Sequence, residues 1–405
     1  MSMYPNTRLI RSWPWCQAVA VRNPAADHRQ CTPLELLFDL CFVVSVAALV
    51  VELHHEVVNG HSERGALTYG LLFLAICWAW MLFSWFATAF DNDDVIYRLL
   101  TLGQMAGVLA LTATIPTAFD GDLVPFAVCY ILMRVPLILK WIRSARRHVD
   151  EHRYAARYAI GLSACQLAWL VLLVLPGGAR PLFCLVLMGT ELVVPPWAMA
   201  AAGRQVFHAG HITERFGLFT MIVIGESIFA ATTALKESLE LYATVPMVVI
   251  GIATLLSAFC VWWLYFDVLD GRAVMLDRSR AFWWGHGHLL AFCAIGAMGA
   301  GAEIAVQVQS EVLAFDLPMR TAVAAPAALS VLALAWIHSV TARSAPFNTV
   351  TRVLAALAIV IIGVMAGAHG PMAATVAVAA ILLLQAVTET AVRGLHVRRT
   401  GMVLA

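Results

Sequence analysis

Apolar residues run along this chain in long blocks separated by short polar connectors. A helix needs roughly 20 mostly apolar residues to cross about 30 Å of hydrocarbon. Twelve blocks approach that length: 34–53, 66–90, 97–118, 124–142, 158–176, 181–202, 216–235, 243–266, 281–302, 319–339, 353–369 and 371–391. The last two are short and share the hinge His369-Gly370-Pro371. No connector is long enough for a soluble domain. The pattern predicts an all-α polytopic membrane protein with about 12 transmembrane helices. Residues 1–33 break it, with Arg8, Arg11, Arg22 and Arg29 set between interrupted apolar patches. They lack the continuous apolar stretch of about 7–15 residues that marks a signal peptide. They read as a cytoplasmic tail, as do residues 393–405.

Composition agrees. The 405 residues are 61% hydrophobic and 13% charged, with a mean hydropathy of +0.81. Soluble proteins carry about 45–50% apolar and about 25% charged residues. A disordered chain, a soluble enzyme and a nucleic-acid binder are therefore excluded as readings of the whole chain. Net charge is +1 and carries no message about partners, but the placement of charge does. With the N-terminus cytoplasmic, inner segments collect 21 basic residues. The outer loops hold only Arg64, Arg180, Lys236 and Arg320, and Arg134 lies inside a span. That bias follows the positive-inside rule and puts both ends in the cytoplasm. The nine cysteines show no C-x-x-C spacing and read as small buried residues, with no disulfide framework, metal site or cofactor indicated.

The two halves rhyme. Leu37-Phe38-Asp39 matches Leu218-Phe219-Thr220, and Trp85-Phe86…Phe90-Asp91 matches Trp262-Trp263…Phe266-Asp267. Gly103-Gln104 matches Gly285-His286. The offsets run from about 176 to 182 and suggest a parallel 6+6 duplication, with repeats at 34–202 and 203–392.

Ionisable residues at membrane depth are costly and usually serve a bundle interior or aqueous cavity. Glu226 lies mid-span in 216–235, after Gly225; Glu191 is central in 181–202, four residues before Pro195-Pro196. Arg134 is central in 124–142, and Asp39 follows Glu35 by one turn on the same helix face. One central base against three acids leaves acids that must be protonated, hydrogen-bonded or neutralised by a cation. Asp39, Arg134, Glu191 and Glu226 are therefore the expected ion- or substrate-binding set, with Glu226 the foremost titrating candidate. Structural ion pairing is the competing reading.

Weaker candidates flank the spans. Asp91, Asp93, Asp94, Asp267 and Asp270 could gather cations at a vestibule or be plain solvated loop residues. His286 and His288 could relay protons. His208, His211 and Glu214 recur every three residues, a weak metal pattern. The small-residue run from Ala294 to Ala302 reads as close helix packing. Walker, G-x-S-x-G and H-E-x-x-H elements are absent from the sequence.

Three ordered blocks carry a family resemblance. Thr32-Pro33-Leu34-Glu35-Leu36-Leu37-Phe38-Asp39-Leu40-Cys41-Phe42-Val43 resembles the opening L-E-L-F-F-D-L-V-F-V signature of the bacterial low temperature requirement A (LtrA) family. His211-Ile212-Thr213-Glu214-Arg215-Phe216-Gly217-Leu218-Phe219-Thr220 with Ile224-Gly225-Glu226-Ser227 resembles its central block. Trp262-Trp263-Leu264-Tyr265-Phe266-Asp267 resembles its W-W-x-Y-F-D block, and Tyr130 to Arg134 fits its Y-x-x-x-R pattern. Leu37, Cys41 and Ile224 depart from the usual residues without removing an ionisable group. The resemblance implies a multi-pass bacterial membrane protein linked by its family name to growth at low temperature, and adds weight to Glu35, Glu214 and Arg215.

The leading expectation is a proton- or cation-coupled transporter in a bacterial inner membrane. Its partners are the lipid bilayer and a small solute or ion, with no nucleic acid and with room for an oligomer. A cation channel is an alternative, from a faint similarity of Phe38-Asp39 to an F-S-D channel element. A lipid-modifying enzyme using buried acids, His286 and Asp267 is another, although no nucleophile is recognisable. A structural or regulatory membrane role is the fourth.

Overall fold

The computed structural model describes residues 31–147, 152–202, 207–240, 245–267, 278–311, 313–341, 346–365 and 369–400, together with 15 and 20–21. Among these, thirteen α-helices follow in order. They are α1 (Pro33–Val58), α2 (Ser62–Ala89), α3 (Val95–Thr112), α4 (Ile115–Phe119), α5 (Val124–Arg147), α6 (His152–Leu172) and α7 (Arg180–Met199). Then come α8 (Ala209–Glu240), α9 (Val245–Phe266), α10 (Arg278–Ser310), α11 (Leu317–Thr341), α12 (Pro346–Met365) and α13 (Gly370–Thr400). All but α4 are long and apolar enough to cross a membrane, which makes 12 candidate spans. Each predicted block falls on one of them.

Local chemistry explains the boundaries. Thr32 opens α1 with a reciprocal capping box: its hydroxyl accepts from Glu35 N–H at 3.2 Å, and Glu35 Oε2 accepts from Thr32 N–H at 2.8 Å. Pro33 occupies the first turn, where its missing donor costs nothing. Asp94 caps α3 by accepting from Tyr97 N–H at 2.9 Å. The third predicted block, 97–118, is divided in the structure. Helix α3 stops at Thr112, and Pro116 sits in the first turn of the separate helix α4. The hinge at 369–371 does separate two helices: Gly370 has φ +77° and is followed by Pro371 at the start of α13. One two-residue ladder, Ala20–Val21 antiparallel to Phe90–Asp91, lays part of the N-terminal segment against the end of α2.

Packing centres on α10, whose most apolar stretch is 83% buried, against 22% for α12. Its glycines permit this. A Cβ on Gly301 would stand 2.6 Å from the Ala322 carbonyl of α11, and one on Gly296 would stand 2.9 Å from the Tyr69 hydroxyl of α2. In one group, α1 packs on α2 and α3, α3 on α5, α5 on α6, and α6 on α7. In the other, α8 packs on α9 and α10, α10 on α11, α11 on α12, and α12 on α13. The groups meet where α1 and α2 pack on α8 and α10. Aromatic rings fill that seam, with Trp80 stacked on Phe219 at 4.2 Å and Phe42 edge-on to the same ring at 6.5 Å.

Candidate functional site

The intramembrane acids fall into separate environments. Glu191 on α7 is fully buried, and its two oxygens receive four donors. Oε2 accepts from Arg134 Nη2 at 2.7 Å and the Tyr130 hydroxyl at 3.0 Å; Oε1 accepts from Trp169 Nε1 at 2.9 Å and Gln166 Nε2 at 3.2 Å. A carboxylate has about four lone-pair sites, so Glu191 is saturated. Arg134 also donates to the Tyr130 hydroxyl and lies 4.7 Å from that ring's centre. The knot ties α5, α6 and α7 together. Helix α7 runs past Pro195-Pro196 and ends three residues later, at Met199. The prolines lack the N–H groups that would bond the carbonyls of Glu191 and Leu192, so they open the helix ladder at the very turn that carries Glu191.

The second environment joins the starts of α1 and α8. Glu35 and Asp39 are one turn apart on α1, and His211 and Arg215 are one turn apart on α8. Arg215 pairs with Asp39, whose Oδ1 also accepts from Trp80 Nε1 at 2.7 Å, and His211 Nε2 lies 3.3 Å from Glu35 Oε2. All four side chains are buried. Lys140 of α5 is buried nearby, 3.3 Å from Gln104 Oε1, and shares the Phe83 ring with Arg215 at 4.5 and 5.1 Å. Cys31, just before the α1 cap, stands over Glu35 and His211; burial pushes its thiol up to about 12.

Glu226 is different. It lies mid-way along α8, remains 9% exposed, and makes no hydrogen bond or ion pair with the other described residues. Gly299 of α10 faces it closely enough that a Cβ there would meet Glu226 at 3.4 Å. One turn further along α8 and α10, Ala230 and Glu303 line a polar cavity of about 300 Å³, with His54, Thr233, Gln307 and Glu311. His54 Nε2 and Gln307 Oε1 are 2.7 Å apart there, and Gln307 donates to Glu311 at 3.1 Å. Beside Glu226, Ser227 and Thr254 line a second cavity of about 30 Å³, with Ser257 and Thr375. Ser227 Oγ and Thr254 Oγ1 have no hydrogen-bond partner among the described residues. That volume and its hydroxyls suit one water.

The four foremost candidates therefore do not converge on one cavity. Arg134 answers Glu191 alone, Asp39 answers Arg215, and Glu226 stands apart.

The family profile for the bacterial low temperature requirement A protein (LtrA) matches residues 30–386. The chain belongs to the LtrA family. A Rhizobium meliloti (strain 1021) protein, the uncharacterized protein RA0937, is 26% identical over 276 residues. That stretch is 64% of this chain and 63% of the relative, which is less than two thirds of the relative's length. With its 12 apolar helices, this LtrA-family chain is a multi-pass membrane protein. The signature blocks are partners in space: the acids of the opening block meet the His211 and Arg215 of the central block.

Several weaker candidates have plain structural roles. The H-x-x-H-x-x-E pattern does not assemble, since Glu214 is exposed and His208 Nδ1 accepts from His211 N–H at 3.1 Å at the start of α8. His286 Nδ1 bonds the Phe282 carbonyl at 2.7 Å; His288 bonds the Trp284 carbonyl at 2.8 Å and the Tyr265 hydroxyl at 3.0 Å. Asp93 pairs with Arg98 on the surface, Asp94 with Arg143, and Asp267 with Arg393. The Asp91 side chain and Asp270 lie outside the described residues. The sequence reading missed Lys140, counted with loop charges, and a buried network at α12 and α13. There Arg352 forks onto Glu389 at 2.6 and 2.8 Å, contacts His338, and Gln385 donates to Glu389 at 2.8 Å. The available signal was Gln385 and Glu389 at i, i+4 in an apolar helix.

Proposed function

We propose that this LtrA-family protein is a proton- or cation-coupled transporter in which Glu226 is the exchanging group. The observation that carries this reading is a buried carboxyl without a partner among the described residues, near a polar cavity, whereas the buried acids Glu35, Asp39, Glu191 and Glu389 are all paired. An unpaired charge in hydrocarbon costs several kcal/mol or is neutralised. Glu226 therefore holds a proton or a cation while shielded and releases it when the adjacent cavity opens to it. Loading and unloading change the number of buried charges, which gives the two conformations unequal stability.

The path runs from the cavity at His54, Glu303 and Gln307, past Glu226, to the hydroxyl-lined cavity at Ser227 and Thr254. It begins at the contact between the two helix groups, where α1 contributes His54 and α8 and α10 the rest, and ends inside the second group, among α8, α9, α10, α11 and α13. The matching orders of packing in the two groups support a parallel duplication at 34–202 and 203–392. In that arrangement α1, α8 and α10 run the same way, with both termini cytoplasmic in a bacterial inner membrane and the polar cavity on the outer side. The reading is of a carrier, with Asp39, Arg134 and Glu191 holding the scaffold and no catalytic role assigned.

The test uses proteoliposomes containing a pH-sensitive dye, with Na⁺ or K⁺ gradients imposed across the membrane. Protein-dependent proton movement is expected, and it vanishes in monodisperse Glu226→Gln. Movement at the wild-type rate in that variant refutes the role of Glu226. Unitary current steps in planar bilayers refute the carrier in favour of a channel.

A further inference from the structure

The mixed donor cluster at the joint between α1 and α8 takes no part in the transport reading. Cys31 Sγ, a Glu35 carboxylate oxygen and a His211 ring nitrogen all lie within 4.8 Å of one another. We propose that these three side chains form a binding site for a divalent transition metal of the zinc class, clamping the start of α1 to the start of α8.

The donor set selects the metal. Thiolate, imidazole and carboxylate together suit Zn²⁺, whereas Mg²⁺ and Ca²⁺ take all-oxygen shells. Bonds of about 2.0–2.3 Å in a tetrahedron place ligand atoms roughly 3.3–3.8 Å apart. His211 Nε2 and Glu35 Oε2 are already 3.3 Å apart, so the cluster closes onto an ion with side-chain adjustments of about an ångström or less. Three protein ligands leave a fourth position for water, and Cys31 and Thr32 keep the site open to the aqueous side.

Neighbouring groups support the ligands. Thr32 N–H donates to Glu35 Oε2 at 2.8 Å, holding the carboxylate beside His211. The backbone N–H of His211 is tied to His208 Nδ1, which fixes the first turn of α8. Arg215 is the nearby cation that could oppose a metal, and Asp39 already answers it. Binding is charge-balanced. The hexahydrated M²⁺ loses five waters and keeps one, Cys31 gives its thiol proton to solvent, and thiolate plus carboxylate offset the two positive charges. The linkage joins the first helix of each group, so metal loading tightens the seam along which the transport path is proposed.

The experiment titrates Co²⁺ alone into the full chain in detergent after chelator treatment, recording absorption spectra. The proposal expects a saturable thiolate-to-cobalt band at one equivalent per chain, bleached by one equivalent of Zn²⁺. Cys31→Ser, at the membrane edge, removes that band while the protein stays monodisperse. The variant's Zn²⁺ affinity, read by competition with a chromophoric chelator, also falls by more than the roughly 10–100-fold that losing a supporting group costs. Absence of a saturable band in the wild type overturns the site, and so does a band that persists in Cys31→Ser. Neither result bears on Glu226, because the flux test stands independently.

Discussion

Glu191 and Glu226 are the same side chain in the middle of two apolar helices, yet their surroundings are opposite. Glu191 receives four donors from α5 and α6. Glu226 receives none among the described residues and lies beside a cavity lined by His54 and Glu303. A saturated carboxylate cannot accept a proton or ligand without breaking its knot, whereas an unsatisfied one can exchange at little structural cost. Burial alone marks neither as functional; the count of donors separates them.

The comparison is broken most forcefully at Glu191. Replacing it by alanine strands the Arg134 guanidinium in a closed pocket, and removing one partner of a buried pair costs about 3–5 kcal/mol. Thermal unfolding in detergent should show a large drop. The double change Arg134→Met with Glu191→Leu should recover most of it, since apolar replacement of a whole buried pair is often neutral or stabilising by about 1–4 kcal/mol. A double variant as unstable as the single one contradicts a purely structural pair. Arg215→Ala should follow, with a loss of similar or slightly smaller size, because Asp39 keeps the donor from Trp80. Arg215→Lys should restore little of it, lacking the guanidinium fork.

Glu226→Gln sits at the other extreme. Its unfolding midpoint should move by less than about 1 kcal/mol in stability terms, while proton movement in proteoliposomes is lost. Smaller still is the effect of Glu303→Gln, which should slow the flux a few-fold without abolishing it. Glu303 lines the approach to Glu226 and does not contact the exchanging carboxyl. Equal loss in both variants would move the exchange site into the outer cavity.

Much of this fold was legible in the sequence because a bilayer leaves few solutions: twelve apolar blocks gave twelve helices. Boundaries followed caps and breakers, and the one divided block was divided at Thr112, ahead of Pro116. The one-turn spacing of Glu35 and Asp39 read correctly as one helix face. Their partners did not, since pairing 176 residues apart depends on which helices become neighbours. Residues near predicted span ends were the blind spot. Lys140 and Glu389 lie just inside the ends of the blocks 124–142 and 371–391 and Arg352 just outside 353–369, yet all three are buried, because α5, α12 and α13 run past those blocks. The expectation that four charges share one site failed for a related reason. Depth in the membrane is readable from sequence, but azimuth around a helix relative to its neighbours is not.

The most direct measurement of the central claim is carbodiimide labelling of the intact protein in lipid, mapped by peptide mass spectrometry. Dicyclohexylcarbodiimide adds to a protonated carboxyl in apolar surroundings and rearranges to a stable N-acylurea. Saturated or ion-paired carboxylates react slowly because their oxygens are occupied. The account predicts modification at Glu226, with Glu191 and Asp39 unmodified under the same conditions and labelling lost in Glu226→Gln. Modification of Glu191 or Asp39 with Glu226 left untouched would contradict it.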